Sequence, residues 1–266
     1  MKKLLILVTI LSASIATIQA QQVKASKDSS KIKTTTNSTY KPTVNKPKQD
    51  WSKVDLNKRP SDHFVFQFGY DGWAGAPDSI KTKGFGRHFN LYGMVDKPMK
   101  SDPHYSVAYG LGLGTSNIYF DNEIVRLEGT GSTLPFSDVS NGVHYAKFKL
   151  TTIYAEIPAE IRYYEHPENK TTGWKASIGV KAGLLLKAYT KGKNLEDAAG
   201  NSLYGATYIN KTSDKRYLNG TKVAFTGRVG YGFFSMHVDY NVLGILKSGA
   251  GPTVNAYSIG ISIGGL

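Results

Sequence analysis

Glu156 and Glu160 are the first pair in this chain whose side chains could serve as acid and base. Cleavage of a glycosidic bond needs two carboxylates about 5–9.5 Å apart. The surrounding run Tyr154–Tyr164 alternates apolar and polar residues, the period of an extended strand. Four residues of strand span ~13 Å at ~3.3 Å each, so the pair misses that window. Gly110-Leu111-Gly112-Leu113-Gly114 has the look of a phosphate loop, but such a loop needs a following helix to aim backbone N–H groups at the anion. Thr115-Ser116-Asn117-Ile118-Tyr119-Phe120 follows instead, and it is strand-like. The histidines at 63, 88, 104, 144, 166 and 237 show no paired spacing of a zinc site. The chain has no cysteine, which excludes thiolate ligands, disulfides and a lipid-anchored lipoprotein. His237 and Asp239 share one strand face, as part of an acyl-transfer set would, yet no serine partner is evident. No catalytic residue, cofactor or metal is expected.

What must position any of these residues is a two-residue hydrophobic beat that returns about eight times after position 61. It opens with Phe64, Phe66, Phe68 and Tyr70 and closes with Tyr257, Ile259, Ile261 and Ile263, the alternate positions being small or polar. A period of two is a strand signal, and an apolar face opposed to glycine, serine and charge fits a barrel with lipid outside. The alternation predicts strands over 64–72, 85–95, 105–120, 146–164, 174–189, 221–232, 235–245 and 254–265. The connections alternate between short, at 96–104, 165–173 and Phe233–Phe234, and long, at 121–145 and 190–220. Outer-membrane barrels show that asymmetry, with short periplasmic turns and long outer loops. The expected fold is therefore all-β: an eight-stranded antiparallel up-and-down transmembrane barrel, or ten strands if 203–218 forms an additional hairpin. No apolar run after the N-terminus is long enough for a transmembrane helix, so any later span is made of strands.

Strand phase separates lipid from lumen. Phe89, Leu91 and Val95, then Val107, Tyr109, Leu111 and Leu113, then Ala176, Ile178, Val180, Ala182 and Leu184, then Val223, Phe225, Val229 and Tyr231 are read as facing out. Tyr70, Trp73, Tyr105, Tyr163, Trp174 and Tyr240 near strand ends are read as interfacial girdles. A carboxylate facing lipid is costly, so Glu156, Glu160 and Arg162 should face the lumen. Lys175, Lys181, Arg228, Asp239, Asp71, Gln67 and His237 fall on the same inward phase. A barrel of eight strands is just wide enough to be filled by its own side chains, so Glu156, Glu160, Arg162, Lys181, Arg228 and Asp239 are expected to form a structural charge cluster that plugs it. Pro158 within its strand marks a bulge or bend, because it cannot donate to the ladder.

The N-terminus gives an address. Lys2 and Lys3 precede an apolar run from Leu4 to Ile10 and a small-residue stretch ending at Ala20, the layout of a signal peptide over 1–20. Residues 21–60 hold nine lysines and Arg59 against three aspartates, so most of the net charge of +13 sits in this tail. Its Lys, Ser, Thr, Asn, Gln and Pro cannot bury enough surface to offset chain entropy, and it is read as a disordered periplasmic linker reaching on the order of 120 Å. A basic tail without interleaved aromatics does not point to nucleic acid. Its partners would be peptidoglycan or a periplasmic protein, while 121–145 and 190–220 would meet any extracellular ligand.

Asp78-Ser79-Ile80-Lys81, Gly86-Arg87-His88-Phe89-Asn90-Leu91-Tyr92, the 110–119 segment and Tyr154-Ala155-Glu156-Ile157-Pro158 together resemble the PorT-like outer-membrane β-barrel family of Bacteroidota, over roughly 61–266. The resemblance implies an eight-stranded outer-membrane barrel; a few members serve protein secretion and most have no assigned activity. The chain departs from the pattern at Leu266, where an aromatic often ends the last strand. The expected function is a non-enzymatic outer-membrane barrel with a plugged lumen, acting as a structural, surface-binding or secretion-accessory protein in contact with outer-membrane lipid. Two alternatives stand beside it: a soluble periplasmic lipocalin-like barrel, which would need its apolar face inward, and a narrow pore.

Overall fold

The computed structural model describes residues 64–84 and 86–264. The signal peptide, the tail, the domain boundary at 61 and Leu266 lie outside them. The strands in chain order are β1 (Phe64–Ala74), β2 (Gly86–Pro98), β3 (Tyr105–Phe120), β4 (Glu123–Val125), β5 (Phe136–Asp138), β6 (His144–Tyr164), β7 (Trp174–Glu196), β8 (Ile209–Ser213), β9 (Thr221–Tyr231), β10 (Phe234–Asn241) and β11 (Asn255–Gly264). Eight of them close a ring, β1-β2-β3-β6-β7-β9-β10-β11, with β11 pairing back onto β1 and every pairing antiparallel. Closure removes the open edges that a sheet in lipid could not satisfy. The ten-strand alternative gives way to a smaller device. Only 209–213 is a strand in that region, and it pairs with the upper part of β7 just beyond the point where β9 leaves it.

The apolar beat faces out. Leu111, Ile157, Ile178, Leu184, Phe225 and Met236 are among the exposed large side chains, while their neighbours in sequence are buried or half-buried. That orientation is the reverse of what a lipocalin-like barrel needs. Tyr105 and Tyr163 pack ring to ring at one end, beside Trp174 and Tyr231 edge to face, and these form the girdle at the end that carries the short turns. Trp73 departs from its expected girdle position. It lies on the inward phase of β1 and packs against Phe120 at 5.5 Å between ring centroids.

Pro158 is paired in register with Lys181 on β7, so no bulge forms there. On the β3 side the ladder passes over Gly110 and Leu111, opposite Pro158 and Ile157, and resumes without a shift. The missing proline donor thus leaves a local gap. The bulge sits further up, where Ile153 pairs with Lys187 but Tyr154 pairs with Leu185, leaving Leu186 as the extra residue. A bulge reverses strand phase, which is why the consecutive residues Leu186 and Lys187 both face out while Leu185 and Ala188 on either side are buried.

Beyond the bulge β6 and β7 continue as a ribbon, and the long connections do not stay polar and free as their composition suggests. A buried apolar cluster closes this end of the ring. The strand tips supply Ile118, Phe120, Phe148, Leu150, Leu185 and Ala188. Ile80 comes from 75–85, Leu127 and Leu134 from 121–143, Tyr217 and Leu218 from 197–220, and Leu246 and Val254 from 242–254. Backbone bonds stitch these loops to one another, among them Leu134 N–H to Ala250 C=O at 2.8 Å, Asn219 N–H to Ile245 C=O at 2.8 Å and Lys247 N–H to Tyr217 C=O at 2.9 Å. The Tyr217 hydroxyl donates to the Gly129 and Gly131 carbonyls.

The two apolar surfaces have different solvents and so respond differently to mutation. Ile157→Arg, mid-barrel and facing lipid, is expected to cost roughly 2–4 kcal/mol in denaturant unfolding from lipid vesicles. Leu218→Ala, fully buried in the cap, should behave as in a water-soluble core and cost about 2–5 kcal/mol. A free-energy change near zero for either variant would contradict the face assigned to it.

Candidate functional site: the filled lumen and its cap

Small residues make room for the lumen's charged ones. His88, Gly69, Gly260 and His237 lie in one row across β2, β1, β11 and β10. A Cβ at Gly69 would run into the Ile259 carbonyl and the Cα of Gly260, so only glycine fits at that crossing. The two imidazoles reach over the glycines and meet, Nε2 to Nε2, at 2.9 Å. Gly114 serves in the same way: a side chain there would occupy the place of the Glu156 carboxylate. This is the role of the glycine run that looked like a phosphate loop.

Three networks fill the interior, two of them joined. At the short-turn end, Glu160 accepts from Arg162 Nε at 2.9 Å and from Arg228 Nη2 at 2.5 Å, and Arg228 Nε donates to the Ser177 hydroxyl at 3.2 Å. Lys170, from the turn 165–173, pairs with Asp96 on β2 with both side chains buried. In the middle, Lys181 Nζ donates to Asp239 at 2.7 Å and to Gln67 at 3.0 Å, and lies 5.0 Å from the centre of the Tyr92 ring. The Tyr92 hydroxyl donates to Glu156 at 2.6 Å, and Lys222 donates to the other Glu156 oxygen at 2.8 Å.

The third network is a chain whose donors and acceptors have one consistent assignment in neutral tautomers. The Asp71 carboxylate accepts from Ser116, from Ser258 at 2.6 Å and from His88 Nδ1 at 2.7 Å. His88 Nε2 is then an acceptor for His237 Nε2–H, and His237 Nδ1 accepts from Ser262 Oγ at 3.0 Å. Ser262 Oγ accepts from Gln67 Nε2 at 3.1 Å, which joins this chain to Lys181 and Asp239.

Glu156, Glu160, Arg162, Lys181, Arg228 and Asp239 are all buried inside the ring. They do not form one cluster. Glu156 and Glu160 belong to separate networks, and Asp239 pairs with Lys181, not with His237. The scattered histidines require a correction, because His88 and His237, 149 residues apart, are in direct contact. A serine partner for His237 also exists in Ser262, yet Ser262 is completely buried and presents no nucleophile to a substrate. Among the described residues no group of three or more His, Asp or Glu could hold a metal ion.

Between these networks and the cap lies a cavity of about 40 Å³, floored by Asp71, His88, Lys222 and Asp239 and roofed by Ile118, Leu150 and Ile245. At 10–15 Å³ each, that is room for about three waters. A second cavity, about 180 Å³, opens between the β4–β5 hairpin and the ribbon, beside Arg126, Tyr145 and Thr212. The hairpin is tied down by Lys81 Nζ to Asp138 at 2.9 Å and by the Lys81 amide to Glu123 at 2.8 Å. Hydrogen bonds from Ser140, with the Lys81 ammonium, hold the Asp138 carboxyl well below the usual carboxylate range. A carboxyl held low contributes above its unfolded value of 3.8 and is lost only as pH falls through the lower folded value, so this tie persists in mild acid.

Comparison with solved structures finds Ail, the attachment invasion locus protein of Yersinia pestis, at 12% identity and TM-score 0.31, covering 76% of this chain and 94% of Ail. The same protein in complex with the heparin analogue sucrose octasulfate matches at 11% identity and TM-score 0.28, with 76% and 96% covered. No curated protein matches the chain. The family model described as outer membrane protein beta-barrel domain matches residues 59–246. With the closed ring of eight strands, the apolar exterior and the charged interior, this places the chain in the outer membrane protein beta-barrel domain family.

Proposed function

We propose that this outer-membrane barrel is a non-enzymatic, non-conducting scaffold that works through its capped end, as a surface-binding or secretion-accessory protein of the PorT-like type. The observation that carries the reading is the interior itself. Charges paired on all sides fill the ring, and an apolar cap built from every long loop closes its mouth. A pore needs a continuous wet path, and a small-barrel enzyme needs a reactive group open to its substrate. The six charged residues named from the sequence act here as structural locks. Residues 1–20 are a signal peptide, 21–60 a periplasmic linker able to meet peptidoglycan or a periplasmic protein, and 61–266 the barrel domain. The short turns face the periplasm and the cap faces outward, in line with the loop asymmetry of such barrels.

Planar-bilayer recording tests the closed lumen: little steady conductance is expected, and a large stable current would overturn it. Protease added to intact cells tests the orientation. Cutting should fall in the exposed 197–208 tip and spare 21–60; the opposite pattern would invert the topology.

The structural role of the charges has its own test. Glu160→Gln removes the carboxylate that two buried arginines share, and should cost roughly 3–5 kcal/mol in vesicle unfolding. Combining it with Arg228→Gln should cost less than the sum of the two single changes, since each removes the same contact. Strictly additive costs would show that the pair is not coupled.

A further inference from the structure

The ribbon above the bulge carries a face that neither the filled lumen nor the cap explains. Because the bulge at Leu186 reverses the phase of β7, the outward face of β6, β7 and β8 changes from leucine to lysine within one residue. Lys187 lies opposite Ile153. Two residues higher, Tyr189 lies between Thr151 and Ser213. In the next row Lys149, Lys191 and Lys211 stand directly opposite one another across three strands, and above them Lys147 faces Lys193. The reverse face of the same rows, Phe148, Leu150, Ala188, Thr190 and Gly192, is buried, so the lysine face is the outer one.

Like charges directly opposite on adjacent strands repel, and natural sheets usually interleave the opposite sign. Among the described residues no carboxylate makes an ion pair with Lys147, Lys149, Lys187, Lys191, Lys193 or Lys211. What neutral partners the lysines have are Asn117, which accepts from Lys149 Nζ at 2.7 Å, and the Tyr119 and Tyr189 rings, which lie under Lys149 and Lys211. Such a face gains from an anion with several charges spaced along it. Its height says which anion. The lysines continue the face whose lower part, Ile178, Val180, Ala182, Leu184 and Leu186, meets lipid. At ~3.3 Å per residue along strands tilted ~40°, all six lie within about 20 Å above the last lipid-facing leucine. That band holds the phosphorylated sugars of an outer-leaflet glycolipid, whose acyl chains would lie against the leucines beneath.

We infer that this lysine face binds the phosphate groups of a phosphorylated glycolipid in the outer leaflet, fixing the ribbon and its cap at the membrane surface. The inference rests on the outward orientation of the capped end. The full chain is purified in detergent and mixed with diphosphorylated lipid A, with dephosphorylated lipid A, or with a soluble sulfated polysaccharide, and co-purifying lipid is read by native mass spectrometry. Wild-type protein should retain the diphosphorylated lipid in preference to the other two. Lys149→Gln/Lys191→Gln/Lys211→Gln should lower that retention by about tenfold or more, given the contribution of each lysine near an anionic surface. Lys215→Gln/Arg216→Gln/Lys247→Gln, an equal charge loss at exposed positions elsewhere on the capped end, should leave it unchanged. Equal retention of both lipid forms, wild-type retention by the first triple variant, or a stronger hold on the polysaccharide would each overturn the inference. Detergent binding does not depend on topology, whereas whole-cell proteolysis does, so a failure of orientation is read separately from a failure of lipid recognition.

Discussion

An eight-stranded ring is too narrow to hold a column of water, and every charge placed inside it must be matched by an opposite charge or by hydrogen-bond donors. The rest of the structure follows from that constraint. Arg162 and Arg228 stand on Glu160, Lys222 on Glu156 and Lys181 on Asp239, all at hydrogen-bond distance, while the Asp71 carboxylate is held by Ser116, Ser258 and His88. Long side chains need space, and the inward glycines supply it: Gly114 yields to the Glu156 carboxylate, and the Gly69–Gly260 crossing lets two imidazoles meet above it. Where the charges end, the ring still has to be closed, and apolar side chains from all four long loops close it.

Closure from two sides gives the barrel an unusual division of labour. The lipid-facing belt fixes depth in the membrane and the lumen networks hold eight strands in one register. The cap converts four loops into a single packed unit with its own core. Loops held by a shared core lose little entropy on meeting a ligand, which suits a rigid recognition surface more than a flexible one. The 180 Å³ opening beside Tyr145 and the lysine face of the ribbon are both displayed on that unit.

Strand alternation made the ring legible in the sequence, since each of the eight ring strands was placed to within a few residues apart from the last seven residues of β7. Parity alone also put the charged residues on one face. What escaped was everything that parity does not encode. His88 and His237 are brought together by strand order around a closed ring, and no spacing in the chain signals that. The cap residues Ile80, Leu127 and Leu134 and the adjacent pair Tyr217-Leu218 are scattered through segments without alternation, so they carry no period. One local signal was available and unused. Leu185 puts an apolar residue on the inward phase, where the lumen gives way to the apolar cap, and the change of phase follows at once between Leu186 and Lys187; the expected irregularity was assigned to Pro158 instead.

The absence of cysteine from the chain allows the central claim, a lumen and a cap both sealed from water, to be tested at single positions. Thr226→Cys would report on the lumen, Ala188→Cys on the cap and Ala199→Cys on an exposed loop tip. Each folded variant in lipid vesicles is treated with a small, membrane-impermeant maleimide, and the labelling rate is compared with that of the unfolded chain. The account predicts fast labelling at 199 and strong protection at both 188 and 226. Labelling at 188 and 226 as fast as in the unfolded chain would show that water reaches the interior freely, and would contradict it.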